Sequence, residues 1–290
     1  MSATPVIDFR FRVVTPQFDA SAAGARTALS WNTRSTPLWR HEFEPSSTAD
    51  RATTTIEDCA SWMRDRGVLG VLPGRGMPGV AIPNEHLHDL CARFPDCFVA
   101  LTGIDAANPP NALAEIERCS RLGFVGVHFE TGWLNPPLAV DAHELVPLFE
   151  LCDQLGLLAV IHVGPLGGPD AAHTRPDAVA NVARSFPNLR IVIAHAAYPH
   201  VDDAIMCVFK HDNVWLGPDP YHDFPGGERY RDWANRSDLV ADRLLYGSSH
   251  GWPQAPDALA RFEQLRWRDD VLERVLYTNA ASLLGLTSAG

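Results

Sequence analysis

Short apolar runs alternate with longer stretches of helical periodicity along the whole chain. The runs are rich in Val, Ile, Leu and Phe without strict polar alternation, which is typical of parallel strands buried on both faces. Helical patterns between the runs include Thr54–Arg66, Ala142–Leu155 and Val271–Leu286. The apolar runs number eight: Val6–Phe11, Val68–Leu72, Cys97–Thr102, Phe124–Phe129, Leu158–His162, Arg190–His195, Val214–Leu216 and Arg243–Gly247.

This alternation predicts an α/β fold with a parallel sheet, and eight strands are the number that closes into a barrel. We therefore predict a single (β/α)₈ barrel domain over residues 1–290. The alternative, an open doubly wound sheet, would need a glycine-rich phosphate turn after the first strand, and residues 11–15 do not form one. The long irregular stretch 15–52 is predicted to cover the mouth of the barrel.

Composition narrows the class of protein. Hydrophobic residues make up 46% of the chain and charged residues 20%, so a large core can form. A net charge of -11 without a basic patch excludes nucleic acid as a partner. No apolar stretch reaches the ~18 residues of a membrane span, and the first residues lack the pattern of a signal peptide. The six cysteines form no C-x-x-C pair, so we expect a cytoplasmic protein with reduced thiols. The expected partner is a small-molecule substrate, and a homo-oligomer is an option.

Polar residues end or follow six of the eight runs. In a (β/α)₈ barrel the chemistry lies at the carboxyl ends of the strands, so these side chains should meet at one mouth. The predicted mouth residues are Arg10, Arg12, His128, Glu130, His162, His195, Asp219, Ser249 and His250.

Several segments resemble the motifs of the amidohydrolase superfamily. Leu158–His162 resembles its fifth-strand histidine motif, and Ile193–Pro199 resembles the sixth-strand histidine followed by small residues. Leu245–Ser249 resembles the eighth-strand motif, and Tyr277–Leu286 resembles the closing helix. Val6–Asp8 resembles the opening of the first strand. The resemblance covers essentially the whole chain and implies the same barrel.

The departures from that family concern its metal ligands. Its first strand normally reads Asp-x-His-x-His, whereas this chain reads Asp8-Phe9-Arg10-Phe11-Arg12. Ser249 stands where the family has an aspartate, and His128 where strand four commonly offers a lysine. Arginine cannot bind a metal, and two guanidinium groups would repel one. We therefore expect a metal-independent site without a cofactor.

One alternative to the metal-free site stays open. A divalent metal such as zinc could be held by His162, His195 and a third ligand recruited from His128, Glu130 or His250.

Arg10 and Arg12 are two residues apart in a predicted strand, so both should point into the barrel. There they would clamp a carboxylate or another oxyanion. The competing interpretation is a structural ion pair with Glu130, Asp219 or Asp8.

His162 and His195 end adjacent predicted strands and are the first candidates for general acid–base catalysis. His128 and Glu130 are further catalytic candidates. Asp219, Ser249 and His250 are expected to line the substrate, and Trp133 to form one wall for a flat, partly aromatic molecule.

The resemblance implies an enzyme, because the family includes lactonases and decarboxylases that act on carboxylated rings. The leading hypothesis is a metal-independent hydrolase of a lactone, amide or ester with a carboxylated or oxyanionic group. A decarboxylase or other lyase, or a cyclase-type biosynthetic enzyme, is the alternative on the same scaffold. A barrel that binds a ligand without catalysis is the alternative of a different class.

Overall fold

The computed structural model describes residues 4–28, 55–168, 170–251 and 254–286, with no side-chain description for 24–28. It contains a sheet of seven strands in which each strand pairs in parallel with the next along the chain. The strands are β1 (Val6–Asp8), β2 (Val68–Leu72), β3 (Phe98–Gly103), β4 (Gly126–Phe129), β5 (Leu158–His162), β6 (Ile191–Ala194) and β7 (Val214–Gly217).

The eighth predicted strand lies between β7 and β1 and is held by backbone hydrogen bonds. Leu244 forms a parallel bridge with Leu216, and the Leu245 amide donates to the Leu216 carbonyl at 2.8 Å. On the other side, the Phe9 amide donates to the Tyr246 carbonyl at 2.9 Å. These bonds connect the last strand of the sheet to the first. The predicted (β/α)₈ barrel is therefore confirmed.

Helices alternate with the strands. They are α1 (Pro16–Ala28), α2 (Ile56–Arg66), α3 (Asn84–Arg93), α4 (Pro109–Arg121), α5 (Val146–Gln154), α6 (Asp177–Ser185), α7 (Val201–Lys210), α8 (Glu228–Ala234), α9 (Asp238–Ala241), α10 (Ala255–Glu263), α11 (Asp269–Glu273) and α12 (Asn279–Leu283). A π-helical turn, Arg274–Thr278, joins α11 to α12 within the predicted closing helix. In the described parts of the chain, no helix is long and apolar enough to cross a membrane.

The stretch 15–52 begins as a helix, since α1 occupies residues 16–28. Ser21 of α1 donates a hydrogen bond to the carbonyl of Val80 at 2.5 Å, which ties the helix to the segment after β2. Residues 29–54 lie outside the described residues, so the covering role of this stretch stays a prediction.

Side chains alternate between the barrel interior and the layer between sheet and helices. Ile7, Val71, Leu101, Val160 and Val192 come from five strands and share one buried apolar cluster, as residues that fill a barrel do. The larger apolar cluster joins the other face of the strands to the helices.

The first strand ends earlier than predicted. β1 stops at Asp8, whose side chain accepts a hydrogen bond from the Arg10 amide at 3.2 Å. Beyond it, Phe9 packs in the inner cluster and Phe11 in the outer one, although two-residue spacing in a strand would put both on one face. The positions of Arg10 and Arg12 are therefore set by a bend after Asp8 and not by the two-residue period of a strand.

Candidate active site

The alternation of side chains in β4 and β5 directs three ionisable residues into the barrel. Val127 and Phe129 belong to the outer cluster, so His128 and Glu130 face the interior. In β5 Val160 lies in the inner cluster, and His162 follows it at the two-residue spacing. Because β4 and β5 are neighbours, these side chains meet.

His128, Glu130 and His162 form a compact cluster. One potential metal-ligating atom from each lies within 4.8 Å of the others. Nδ1 of His162 is 3.2 Å from Oε1 of Glu130, and Nδ1 of His128 is 2.8 Å from the carbonyl oxygen of Gly74. Both contacts involve Nδ1, so Nε2 of each ring faces away from the oxygen that Nδ1 contacts. Nε2 of His162 is buried without a hydrogen-bond partner.

The charge state of this cluster suits a cation. Burial lowers the pKa of His128 to about 4, and burial with the nearby His195 holds the pKa of His162 well below its usual value. Burial opposes ionisation of Glu130, but Arg75 and the two imidazoles outweigh it and keep its pKa well below the ordinary range. The cluster thus presents two neutral imidazoles and one carboxylate near neutral pH.

Arg75 is a site residue that the sequence analysis missed. Its Nε donates to Oε2 of Glu130 at 2.7 Å, and its guanidinium lies 5.1 Å from the ring centre of Trp133. It follows β2 by three residues, after a proline and a glycine. Arg75 follows a predicted strand, as other mouth residues do, and this position is the sequence signal that could have identified it.

Gly74 allows the segment before Arg75 to approach the site. A Cβ on Gly74 would lie 2.2 Å from the backbone nitrogen of Gly103, so only glycine fits between the ends of β2 and β3. This close approach brings the Gly74 carbonyl to the imidazole of His128.

A second group is centred on Asp219, which follows β7. Its Oδ1 accepts a hydrogen bond from Oγ of Ser249 at 2.9 Å and lies 3.2 Å from Nδ1 of His195. The same oxygen is 3.4 Å from Nε of Arg10. Burial opposes ionisation of Asp219, but His195, Arg10 and Ser249 together lower its pKa. We call Asp219, Arg10, His195 and Ser249 the Asp219 group.

Arg10 joins this group to the first cluster. Its NH1 lies 3.4 Å from Nε2 of His128, while its Nε faces Asp219. The structural ion pair that competed with the clamp interpretation is thus present for Arg10, with Asp219 as the partner.

Arg12 differs from Arg10. It is half-buried, and it makes no hydrogen bond or ion pair with any other residue that the structure describes. Burial and the nearby charge of Arg10 lower its pKa to about 9.

His162 and His195 lie together, with ring centroids 4.5 Å apart. Nδ1 of His195 is 2.7 Å from the backbone carbonyl of Asp219, so it carries a proton that is donated to that oxygen. Burial lowers the pKa of His195, with partial opposition from Asp219. His195, Ala196 and Ala197 have φ angles of 65°, 47° and 59°, a run of left-handed backbone that is costly for residues other than glycine.

The remaining candidates have structural contacts. His250 stacks on Phe11 with ring centroids 4.6 Å apart, and its Nδ1 accepts a hydrogen bond from the amide of Ala255 in the first turn of α10. The ring of Trp133 is half-buried and covered by Arg75. Their expected contact with substrate stays a prediction.

A cavity of about 490 Å³ reaches His162, and Thr131, His173, Arg175 and Asp177 are among its lining residues. This volume lies within the range of small-molecule sites.

Asp8 was not among the predicted site residues, and it ends β1 two residues before Arg10. Its Oδ1 accepts hydrogen bonds from the amides of Ser248 and Arg10 at 2.9 and 3.2 Å. Burial raises its pKa to about 7 in spite of these bonds. It links the ends of the first and eighth strands.

Comparison with known proteins places this barrel in a family. A model of the amidohydrolase family matches residues 13–286, and the chain belongs to that family. The structure is similar to an uncharacterized TIM-barrel protein from Bordetella bronchiseptica, with a TM-score of 0.83, 27% identity, and 97% of this chain and 99% of that chain covered. The resemblance found in the sequence is therefore confirmed.

Two decarboxylases are also similar. One is a dihydroxybenzoic acid decarboxylase from Polaromonas sp. JS666 with bound manganese and the inhibitor 2-nitroresorcinol, at a TM-score of 0.66 and 16% identity over 100% of this chain and 98% of that one. Gamma-resorcylate decarboxylase from Rhizobium radiobacter is 24% identical over 217 residues, which is 59% of this chain and 64% of that protein. This match spans less than two thirds of the relative's length. The predicted class, a hydrolase or lyase of this superfamily, agrees with these relatives.

The prediction of a site without a metal is wrong. Three ligand-bearing groups converge in the His128–Glu130–His162 cluster, and the decarboxylase from Polaromonas holds manganese. The prediction rested on repulsion from Arg10 and Arg12, but the charge of Arg10 is paired with Asp219. The zinc alternative named His195 as a ligand, whereas His195 bonds to Asp219 and lies outside this cluster.

Proposed function

We propose that the chain is a lyase that decarboxylates a small aromatic acid, with a divalent cation held by His128, Glu130 and His162. The observation that carries this proposal is the position of this cluster inside the barrel, at the mouth where this fold places its chemistry. The similarity to two decarboxylases supports the choice of reaction. This reaction replaces the hydrolase hypothesis and its requirement for a metal-free site.

The donor set fits a divalent cation. Two imidazoles and one carboxylate are ligands that catalytic metals use in proteins, and one ligating atom from each of the three residues lies within 4.8 Å of the others. When bound, the cation acts as a Lewis acid that draws electron density towards a substrate oxygen. Glu130 keeps a hydrogen bond from Arg75, which would fix the orientation of the carboxylate.

Decarboxylation breaks the bond between a ring carbon and the carboxylate and releases neutral CO₂. The electron pair of that bond stays on the carbon, which must then accept one proton. His195 is placed to deliver it as an imidazolium: Nδ1 keeps the proton donated to the carbonyl of Asp219, and Nε2 transfers a second proton that it has taken up from water. Ser249 and Arg10 contact Oδ1 of Asp219, the same oxygen that His195 approaches, and hold this side chain in place.

The test is turnover of a panel of hydroxybenzoates and of lactones by the purified protein with Mn²⁺. We expect CO₂ release from at least one acid, loss of that activity in Glu130→Gln, and little change in Glu115→Gln. Glu115 is a matched control because it also pairs with an arginine, Arg118, but on the outer helix α4. Hydrolysis of a lactone with no CO₂ from any acid would contradict the proposal.

A further inference from the structure

The backbone that carries His195 has a costly conformation. His195, Ala196 and Ala197 have φ angles of 65°, 47° and 59°, in the left-handed region that residues with a Cβ rarely adopt. Such a run persists only where surrounding contacts hold it. The direction of the His195 imidazole depends on this backbone, so the contacts that hold the run also aim the ring.

Two contacts hold the run from the side of β5. The Ala197 amide donates a hydrogen bond to the carbonyl of Val163 at 3.1 Å. A Cβ on Gly164 would lie 2.8 Å from the Cβ of His195, so the segment after β5 needs glycine to pass this close. These contacts involve His195 and Ala197, and neither involves the carbonyl of Ala196.

The following turn of the chain does not supply a donor to the Ala196 carbonyl. If the turn continued as a helix, the donor would be the amide of residue 199 or 200. Pro199 has no N–H, and the His200 amide donates to the carbonyl of Ala197 at 2.8 Å. Ala196 is 0% exposed, so an unpaired carbonyl at this position would be costly.

Tyr230 of α8 supplies the donor. Its hydroxyl donates to the carbonyl of Ala196 at 2.8 Å, and its side chain is fully buried. α8 begins directly after Gly227, where a Cβ would overlap the carbonyl oxygen of Tyr221, so glycine lets the helix start close to the loop after β7. Burial raises the pKa of Tyr230, and the hydroxyl therefore keeps its proton and stays a donor.

We propose that Tyr230 is a positioning residue for His195: its hydrogen bond to Ala196 holds the left-handed turn that aims the imidazole. With the turn held, Nδ1 of His195 stays 2.7 Å from the carbonyl of Asp219, and its ring stays 4.5 Å from that of His162 between centroids. The inference rests on the proposed function for the role of His195 in proton transfer. The hydrogen bond and the backbone conformation do not depend on that role.

The test reads the tautomer of His195 by ¹⁵N NMR of histidine-labelled, Zn²⁺-loaded protein at pH 8, where a lowered pKa keeps this imidazole neutral. The His195 signals are identified by their loss in His195→Asn. We expect the Nδ1–H tautomer in wild type and a mixture of both tautomers in Tyr230→Phe, because the ring no longer keeps its distance from the Asp219 carbonyl. For an acid that releases CO₂, kcat should fall on the order of 10-fold, with a much smaller change in KM.

Tyr198→Phe is the matched control, because the Tyr198 hydroxyl also donates to a backbone carbonyl, that of Pro225 at 2.9 Å. It should keep the wild-type spectrum. Ala196→Gly added to Tyr230→Phe should restore the Nδ1–H tautomer, since glycine adopts the left-handed conformation at little cost. If Tyr230→Phe alone does not fold, we expect the added glycine to restore folding.

Three results would overturn the proposal: a wild-type spectrum in Tyr230→Phe, an equal change in Tyr198→Phe, or no recovery in the double variant. The spectrum is read without turnover, so it decides the role of Tyr230 even if no acid releases CO₂, a result that would reject the decarboxylase alone. CO₂ release together with an unchanged spectrum in Tyr230→Phe would keep the decarboxylase and reject the positioning role.

Discussion

Nδ1 of His162 lies 3.2 Å from Oε1 of Glu130, and this contact leaves the buried Nε2 of the same ring without a partner. The two residues come from neighbouring positions in the barrel, at the end of β5 and just after β4. A buried nitrogen with no hydrogen bond is costly in a folded protein unless something binds it. The Nδ1 contact brings an imidazole and a carboxylate together, and with His128 they form the donor set proposed for a cation.

Replacing His195 tests the proton-transfer step. His195→Asn keeps a polar group near Asp219 but cannot transfer a proton, so we expect kcat for decarboxylation to fall by ~10²–10⁴. Substrate affinity should change little, because this substitution removes a proton donor and leaves the proposed cation ligands intact. Steady-state kinetics measures both, with the exposed His143→Asn as the control. An unchanged kcat would remove His195 from the mechanism.

Asp8 makes stability depend on pH. Its pKa is raised by burial from 3.8 to about 7, so the folded state binds the proton more tightly than the unfolded chain. The stabilisation from this group is present below pH 3.8 and is lost as pH rises through about 7. Asp8→Asn removes this dependence and keeps an oxygen for the amides of Ser248 and Arg10.

We therefore expect wild type to lose up to ~4 kcal/mol of unfolding free energy relative to Asp8→Asn between pH 4 and pH 8. Denaturant unfolding at a series of pH values measures the difference. Parallel curves for the two proteins would show that Asp8 does not titrate in this range.

Sequence patterns predicted the barrel because its strands are buried on both faces, and continuous apolar runs such as Leu158–His162 record that burial directly. They failed at the end of β1. There the Asp8 side chain accepts a hydrogen bond from the Arg10 amide, and the apolar periodicity of the sequence does not predict such a local contact.

The site was predictable in part. Alternation in β4 placed His128 and Glu130 on one face, and strand order brought His162 beside them. The metal site was missed because the prediction weighed the charge of Arg10 without its partner Asp219. The position of Arg75 depends on the approach of Gly74 to Gly103, a contact between the segment after β2 and the end of β3 that only the folded chain shows.

The most direct measurement is a titration of the wild-type protein with Mn²⁺, followed by electron paramagnetic resonance. The account predicts one bound Mn²⁺ per chain, because two neutral imidazoles and one carboxylate converge in the cluster. Glu130→Gln should abolish the binding, and Glu115→Gln should not. Absence of binding, or binding that survives Glu130→Gln, would contradict a metal site at His128, Glu130 and His162.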